Sequence, residues 1–313
     1  MNAGSAPVGV LHVNLGSPAA PTARAVRSFL DEFLGDPQVV DLNPWLWWCV
    51  RKAIVLPLRA PRSAALYARI WSDEGSPLVV NSRRFCTALA HALGAGFRVE
   101  SAMRYGEPSL ARGLAALRTA GARRIVVLTA FPQASRTTTG TIEQALARLT
   151  APGELVCVPP YHDDPAYIAA LAEAPRAALA ADPRAHLVLS FHGLPERYVA
   201  AGDPYREHCE RTARALVAAL ALAPGRWSLA YQSRFGRERW LGPDVTAVVA
   251  ELAGRGERVL VAAPSFTTDC LETLEELGLR LVEQARAAGR ELTALPCLNA
   301  DPRWVGAAAT LVR

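Results

Sequence analysis

Two stretches carry residue types suited to acid–base or metal chemistry. The first is Ser190-Phe191-His192-Gly193-Leu194-Pro195, which closes an apolar run at 186–191. Imidazole is the commonest group for proton transfer near neutral pH and a good ligand for borderline metals. A histidine at the carboxyl end of a strand, followed by Gly and Pro, is displayed at a sheet edge. The bland alternative is a loop histidine bonded to backbone. The second stretch runs from Pro264 to Glu276 and follows the run at 258–263. Asp269 and Glu272 have the spacing of a capping box, which predicts a capped helix start. Asp269, Glu272 and Glu276 also stand at i, i+3 and i+7, one face of an α-helix. Capping gives no reason for Glu276, and stacking like charges costs roughly some tenths of a kcal/mol per pair. A line of carboxylates is a route for cations or protons.

Three further stretches follow apolar runs. Phe131-Pro132-Gln133-Ala134-Ser135-Arg136-Thr137 offers hydroxyls and amides entering a helix, which suits anionic groups or a plain cap. Arg104 and Tyr105 pair a cation with an aromatic face. Asn14-Leu15-Gly16-Ser17-Pro18 is no dinucleotide fingerprint, because no G-x-G-x-x-G follows.

The elements that must position these residues alternate along the chain. Runs at 8–14, 97–103, 124–130, 154–159, 186–191, 227–232, 258–263 and 291–295 are rich in Val, Leu and Ile. They are apolar on both sides, as strands of a covered parallel sheet must be. Between them lie helices with clear ends. Asp164-Pro165 and Asp203-Pro204 each predict an N-cap before a proline at N1, and Gly121 predicts a helix end. The pattern predicts an α/β protein of two doubly wound, Rossmann-like lobes, each with a four-stranded parallel sheet. The break is expected at Ala151-Pro152-Gly153, giving lobes at 1–150 and 151–299. A segment at 35–76 interrupts the first lobe and holds Trp45, Trp47, Trp48 and Trp71, four of the seven tryptophans. So apolar an insertion covers a core, a ligand or a membrane face.

Composition excludes several classes. The net charge of +5 is scattered, so no nucleic-acid arm is present. Lys52, in Arg51-Lys52-Ala53, is the only lysine. That rules out a phosphate loop ending in Gly-Lys-Ser/Thr and leaves a Schiff-base mechanism a single candidate. Cys49, Cys86, Cys157, Cys209, Cys270 and Cys297 are dispersed with no C-x-x-C pair, which predicts reduced core residues. The first residues lack the charged-then-apolar layout of an export signal. The apolar stretch at 44–58, broken by Arg51, Lys52 and Pro57, is too short to span a bilayer. A cytoplasmic protein is expected.

Taken in order, these stretches resemble the ferrochelatase family. The match runs from Asn14-Leu15-Gly16 to Asn299-Ala300-Asp301-Pro302, through Asp203-Pro204-Tyr205, Tyr231-Gln232-Ser233-Arg234 and Trp240-Leu241-Gly242-Pro243. The resemblance implies the class II chelatase architecture, with a porphyrin cleft between the lobes and the C-terminal helix 300–313 joined to the first. It implies insertion of Fe²⁺ into protoporphyrin IX, releasing two protons and giving protohaem, the terminal step of haem biosynthesis. By resemblance, His192 and Glu272 are the catalytic and metal-contacting pair, with Asp269 and Glu276 on a proton or metal path. Leu15, Arg104, Tyr105, Ser135, Trp240 and Phe266 match positions around the porphyrin.

Two departures carry expectations. Some relatives bind a [2Fe–2S] cluster through cysteines in a C-terminal extension and one in the Ser135 loop. Here the loop position is Arg136 and the sequence ends at Arg313, so no cluster and no permanently bound cofactor is expected. Relatives acting on coproporphyrin tend to have tyrosine where Leu15 stands, so Leu15 favours protoporphyrin. The segment at 35–58 resembles the family's active-site lip. Either it is a greasy entrance in peripheral contact with the inner membrane, or its tryptophans pack on the first lobe. A monomer or weak homodimer is expected. The rival functions are a coproporphyrin ferrochelatase, a non-catalytic porphyrin or haem carrier, a cobalt or nickel chelatase, and a Ser190–His192 hydrolase. The last lacks a nucleophile-elbow sequence.

Overall fold

The computed structural model describes residues 6–236 and 238–313. The expectation about an export signal rests in part on Met1 to Ser5, which lie outside the described residues. The chain forms two compact units. The first comprises the chain through Phe131, Ser135–Pro159 and Val305–Arg313; the second comprises Pro132–Ala134 and Pro160–Trp304.

The first unit holds β1 (Val8–Gly16), β2 (Phe97–Tyr105), β3 (Arg124–Thr129) and β4 (Leu155–Cys157). They form one parallel sheet in the order β2-β1-β3-β4. The second unit holds β5 (His186–His192), β6 (Trp227–Gln232), β7 (Val259–Ala262) and β8 (Leu292–Ala294), in the order β6-β5-β7-β8, again all parallel. The sequence placed all eight strands because both faces of each sheet are covered. Val10, Leu11 and Val13 of β1 and Leu187, Val188 and Leu189 of β5 are fully shielded, and the polar residues among them, His12, Asn14 and Ser190, are buried as well. The first unit reaches Pro159, past the break expected at 151–153, because β4 pairs with β3. The strand at 154–159 was foreseen, but not that it pairs into the first sheet.

Helix starts follow side-chain chemistry. Asp164 caps Pro165–Leu171 by accepting from the Ala166 and Tyr167 amides. Asp203 differs: the helix is Tyr205–Ala219, one residue later than expected, and the Asp203 carboxylate accepts the Tyr205 amide at 3.0 Å. The insertion folds as Pro44–Val50, a π-helical turn Arg51–Val55, and Leu56–Ile70. Pro57, expected to interrupt it, sits at the second residue of the last helix, which continues directly from the π-helical turn.

Candidate active site

His192 is the last residue of β5, which delivers it to the carboxyl edge of the second sheet. Its Nδ1 lies 2.6 Å from the carbonyl oxygen of Gly193. A carbonyl can only accept, so Nδ1 carries the proton, and a neutral ring presents Nε2 as a lone pair. Nε2 makes no hydrogen bond within the protein among the described residues. The His192 amide donates to Ser265 Oγ at 3.3 Å, and the Phe266 ring stands 6.3 Å from the imidazole. Gly193 is required by close approach: a Cβ there would lie 2.7 Å from the Gln232 carbonyl oxygen and 3.1 Å from the Trp240 ring. Trp240 is half-buried and bridges to Pro195. Ser190 is fully buried and its hydroxyl is spent on Gln232, so it is no nucleophile for His192.

The acidic segment departs from its expected geometry. Residues Glu272–Leu281 wind as a π-helix rather than an α-helix, and Asp269 precedes it. The three carboxylates therefore do not form the α-helical ridge expected from their spacing. Asp269 makes no capping box either. It is buried, and accepts from the Thr273 hydroxyl at 3.1 Å, the Cys297 amide at 3.3 Å and the Asn299 side-chain amide at 2.7 Å. Glu276 is held by Ser233, whose amide donates to Oε1 at 2.8 Å and whose hydroxyl donates to Oε2 at 2.5 Å. Ser233 adopts a φ of 64°, a left-handed conformation uncommon for a side-chain residue, and the two bonds to Glu276 compensate it. Glu275, which sequence spacing did not single out, is the most buried carboxylate of the helix, with Arg280 at 3.4 Å. Glu272 remains half-exposed beside Cys270. Burial pushes that thiol well above its usual range and the Glu272 carboxylate pushes the same way, so Cys270 stays a neutral neighbour.

Gln232 joins these parts. It is the β6 partner of His192 in register, and it is buried. Its Oε1 accepts from the Ser190 hydroxyl at 2.8 Å, and its Nε2 donates to the Glu272 carbonyl at 3.0 Å. His192, Phe266, Trp240, Glu272 and Glu276 are thus held by one set of neighbouring elements at the sheet's carboxyl edge, where open α/β sheets bind ligands.

The first unit carries the other expected residues. Leu15, half-buried, lies at the carboxyl end of β1. Arg104 and Tyr105 fall inside β2 rather than after it. Arg104 donates to Asp36 and, through Nε, to the Thr141 carbonyl at 3.1 Å; the Tyr105 hydroxyl donates to Asp36 at 3.0 Å. Tyr105 is 1% exposed, and burial raises its phenol well above the usual range, so it stays neutral. A pocket of about 370 Å³ opens beside them, lined by Asp36, Arg104, Tyr105, Gln144 and Arg148 among others. Ser135 is buried and caps the π-helical turn Arg136–Gly140, accepting from the Thr137 amide. The cap foreseen in the sequence is real, and it engages the hydroxyl.

The insertion presents a mixed face. Trp47 is anchored, its indole N–H donating to the Leu34 carbonyl at 2.6 Å, and Arg51 and Lys52 both bind Asp31. Trp45 is 82% exposed, and Leu46, Trp48, Ile54 and Leu58 are all more than half exposed. Among the described residues no helix is long and apolar enough to cross a membrane.

Sequence reasoning missed Asp36, Ser265 and the roles of Gln232 and Ser233. The only signals were the Gly35-Asp36-Pro37 turn and the Tyr231-Gln232-Ser233-Arg234 motif, whose side-chain partners lie about 40 or more residues away.

Comparison with known proteins places this arrangement. The family model for ferrochelatase matches residues 7–313. A ferrochelatase of Xanthomonas axonopodis pv. citri is 46% identical over 97% of each chain. One from Stenotrophomonas maltophilia is 46% identical over 96% of each. Among solved structures, SirB from Bacillus subtilis with Fe³⁺ has a TM-score of 0.56 at 15% identity, covering 98% of this chain and 94% of that one. That likeness concerns the fold, and it agrees with the two four-stranded parallel sheets. The chain belongs to the ferrochelatase family.

Proposed function

We propose that this protein inserts Fe²⁺ into protoporphyrin IX, with His192 and Glu272 as the reacting pair. The reaction balances simply: the free porphyrin gives up two pyrrole protons and the ferrous ion takes their place. A flat ring with its inner N–H groups in place cannot admit a metal. The ring must be bent so that nitrogen lone pairs leave its plane, a strain supported by binding its remainder. Something must accept the protons as they leave.

The observation that carries the proposal is the 2.6 Å contact between His192 Nδ1 and the Gly193 carbonyl. With Nδ1–H committed to Gly193, Nε2 is an acceptor free of protein partners at the sheet edge. It serves for a pyrrole proton or for the incoming ion. Glu272 supplies the negative charge that a ring losing protons and a dication both need nearby. Among the described residues no three His, Cys, Asp and Glu side chains are grouped to hold a metal. A sparse ligand set suits an ion that is handed on to four ring nitrogens. Glu276 is assigned to the path of protons or metal, with Ser233 keeping its carboxylate in place; Asp269 is assigned to it from the family pattern alone.

We assign Phe266 and Trp240 to contact with the macrocycle, on the strength of their placement beside His192. The same role is proposed for Leu15, Arg104 and Ser135 from the family pattern, with Tyr105 acting through its bond to Asp36. Leu15 rather than tyrosine favours protoporphyrin over coproporphyrin. The exposed apolar face of Trp45, Leu46, Trp48, Ile54 and Leu58 favours peripheral contact of a cytoplasmic protein with a membrane surface.

An anaerobic assay of protoporphyrin IX and coproporphyrin with Fe²⁺, followed by loss of free-porphyrin absorbance, tests this. Metallation of protoporphyrin is expected, and metallation of neither would overturn the proposal. His192→Ala should abolish turnover while porphyrin still binds. Near-normal turnover by that variant would remove His192 from the mechanism.

A further inference from the structure

Gln232 carries no obvious chemistry, since an amide neither titrates nor ligates iron well. It is nevertheless 1% exposed, with both ends of its amide hydrogen-bonded. The polarity of those bonds is fixed. The Glu272 main-chain carbonyl can only accept, so it must face the NH₂ group; Oε1 then faces Ser190, whose hydroxyl donates. One buried side chain therefore touches the strand that delivers His192 and the first residue of the π-helix that carries Glu272. Gln232 is also the strand neighbour of His192, and its own carbonyl accepts the Gly193 amide at 2.8 Å. Both the imidazole's supporting peptide and the glutamate's backbone are referenced to this one residue.

A π-helix is a costly winding whose backbone contacts are poorer than those of an α-helix, and such turns persist where the surroundings hold them. The Gln232 amide adds a donor to the carbonyl that opens this one. We infer that Gln232 is a positioning residue which sets the height and orientation of the Glu272 turn relative to His192. The inference rests on the proposal that His192 and Glu272 are the reacting pair. Fold maintenance alone would need only the side chain's volume and an acceptor for the Ser190 hydroxyl. Positioning, by contrast, depends on a donor aimed at Glu272.

Two variants of the full-length protein separate these cases. Gln232→Met keeps the volume and removes both the donor to Glu272 and the acceptor for Ser190. It should lower kcat by on the order of 10- to 100-fold and raise the KM for Fe²⁺, with porphyrin affinity, read by fluorescence quenching, within about twofold of wild type. Gln232→Glu replaces the donor with a carboxyl that imitates the amide only when protonated. Buried, and facing a carbonyl that cannot donate, it should hold its proton to unusually high pH. Its kcat relative to wild type should therefore rise as pH falls, whereas the ratio for Gln232→Met should stay flat.

Turnover by folded Gln232→Met within about threefold of wild type would overturn the inference. So would a kcat ratio for Gln232→Glu that stays flat across the ionisation of its carboxyl, which decides the matter if the Met variant does not fold. Glu272→Ala run alongside keeps the two proposals apart. If that variant turns over normally, the reacting pair itself is wrong. If it is inactive while Gln232→Met is normal, only the positioning role fails.

Discussion

Replacing Gly193 with alanine is the smallest change that reaches the imidazole without touching it. The new Cβ would sit 2.7 Å from the Gln232 carbonyl oxygen and 3.1 Å from the Trp240 ring. The first obstacle is backbone within the sheet and cannot swing aside. Relief from 2.7 Å to ordinary contact at 3.4 Å needs a displacement of about 0.7 Å, and such overpacking costs roughly 1–3 kcal/mol. Gly193 is also the peptide whose carbonyl fixes His192 Nδ1, so the displacement moves the ring. Reacting groups must be held within about half an ångström of their working geometry, so a shift of this size is enough to matter. Gly193→Ala should lower kcat on the order of 10- to 100-fold. Thermal unfolding should move down by about 2–4 °C per kcal/mol lost. The assay is anaerobic metallation of protoporphyrin beside differential scanning fluorimetry. A variant with wild-type melting and turnover would show that the loop relaxes freely and that the glycine does not set the imidazole.

Three further outcomes are expected. Asp269→Ala leaves the Asn299 amide, the Cys297 N–H and the Thr273 hydroxyl without their acceptor, and should cost on the order of 3 kcal/mol in urea unfolding. A cost below about 1 kcal/mol would refute its structural role. His12 lies buried in β1 against Phe85 and burial holds its pKa down to about 4. The unfolded chain takes up that proton below about 6.5 while the native one does not, so stability should fall by about 3 kcal/mol as pH drops from 6.5 to 4. His162, also held down to about 4, acts in the same direction, so His12→Met should remove only part of the slope of unfolding free energy against pH. Changing Trp45, Leu46 and Trp48 together to serine should weaken binding to anionic vesicles by at least about tenfold and leave soluble turnover unchanged. Equal vesicle binding would exclude that face from membrane contact.

The strands and the position of His192 at a strand end were legible because they depend on local signals. Each buried strand is a short apolar run, and His192 follows one directly. Helix Pro165–Leu171 was readable from Asp164 for the same reason. What escaped was set by contacts across the sheet. The π-winding of Glu272–Leu281 cannot be seen in spacing tuned to an α-helix, so the expected carboxylate ridge did not form and Asp269 turned inward to Asn299. Arg104 and Tyr105 looked like residues beyond a strand end; the structure extends β2 through both and commits them to Asp36, 68 and 69 residues earlier. In the insertion, packing on the first lobe holds for Trp47, whose indole binds the Leu34 carbonyl, while Trp45 faces solvent.

The strand orders β2-β1-β3-β4 and β6-β5-β7-β8 are the same plan written twice. Under that plan Leu15, at the end of β1, is the counterpart of His192 at the end of β5. The Ser135 turn that follows β3 is likewise the counterpart of the acidic helix that follows β7, and both wind as π-helices. A duplicated scaffold can thus divide its labour: one copy keeps hydroxyls and an aliphatic side chain at its sheet edge, while the other has a base and carboxylates at the matching places. Swapping Leu15 for histidine would then ask whether the quieter copy can be taught the chemistry of its twin.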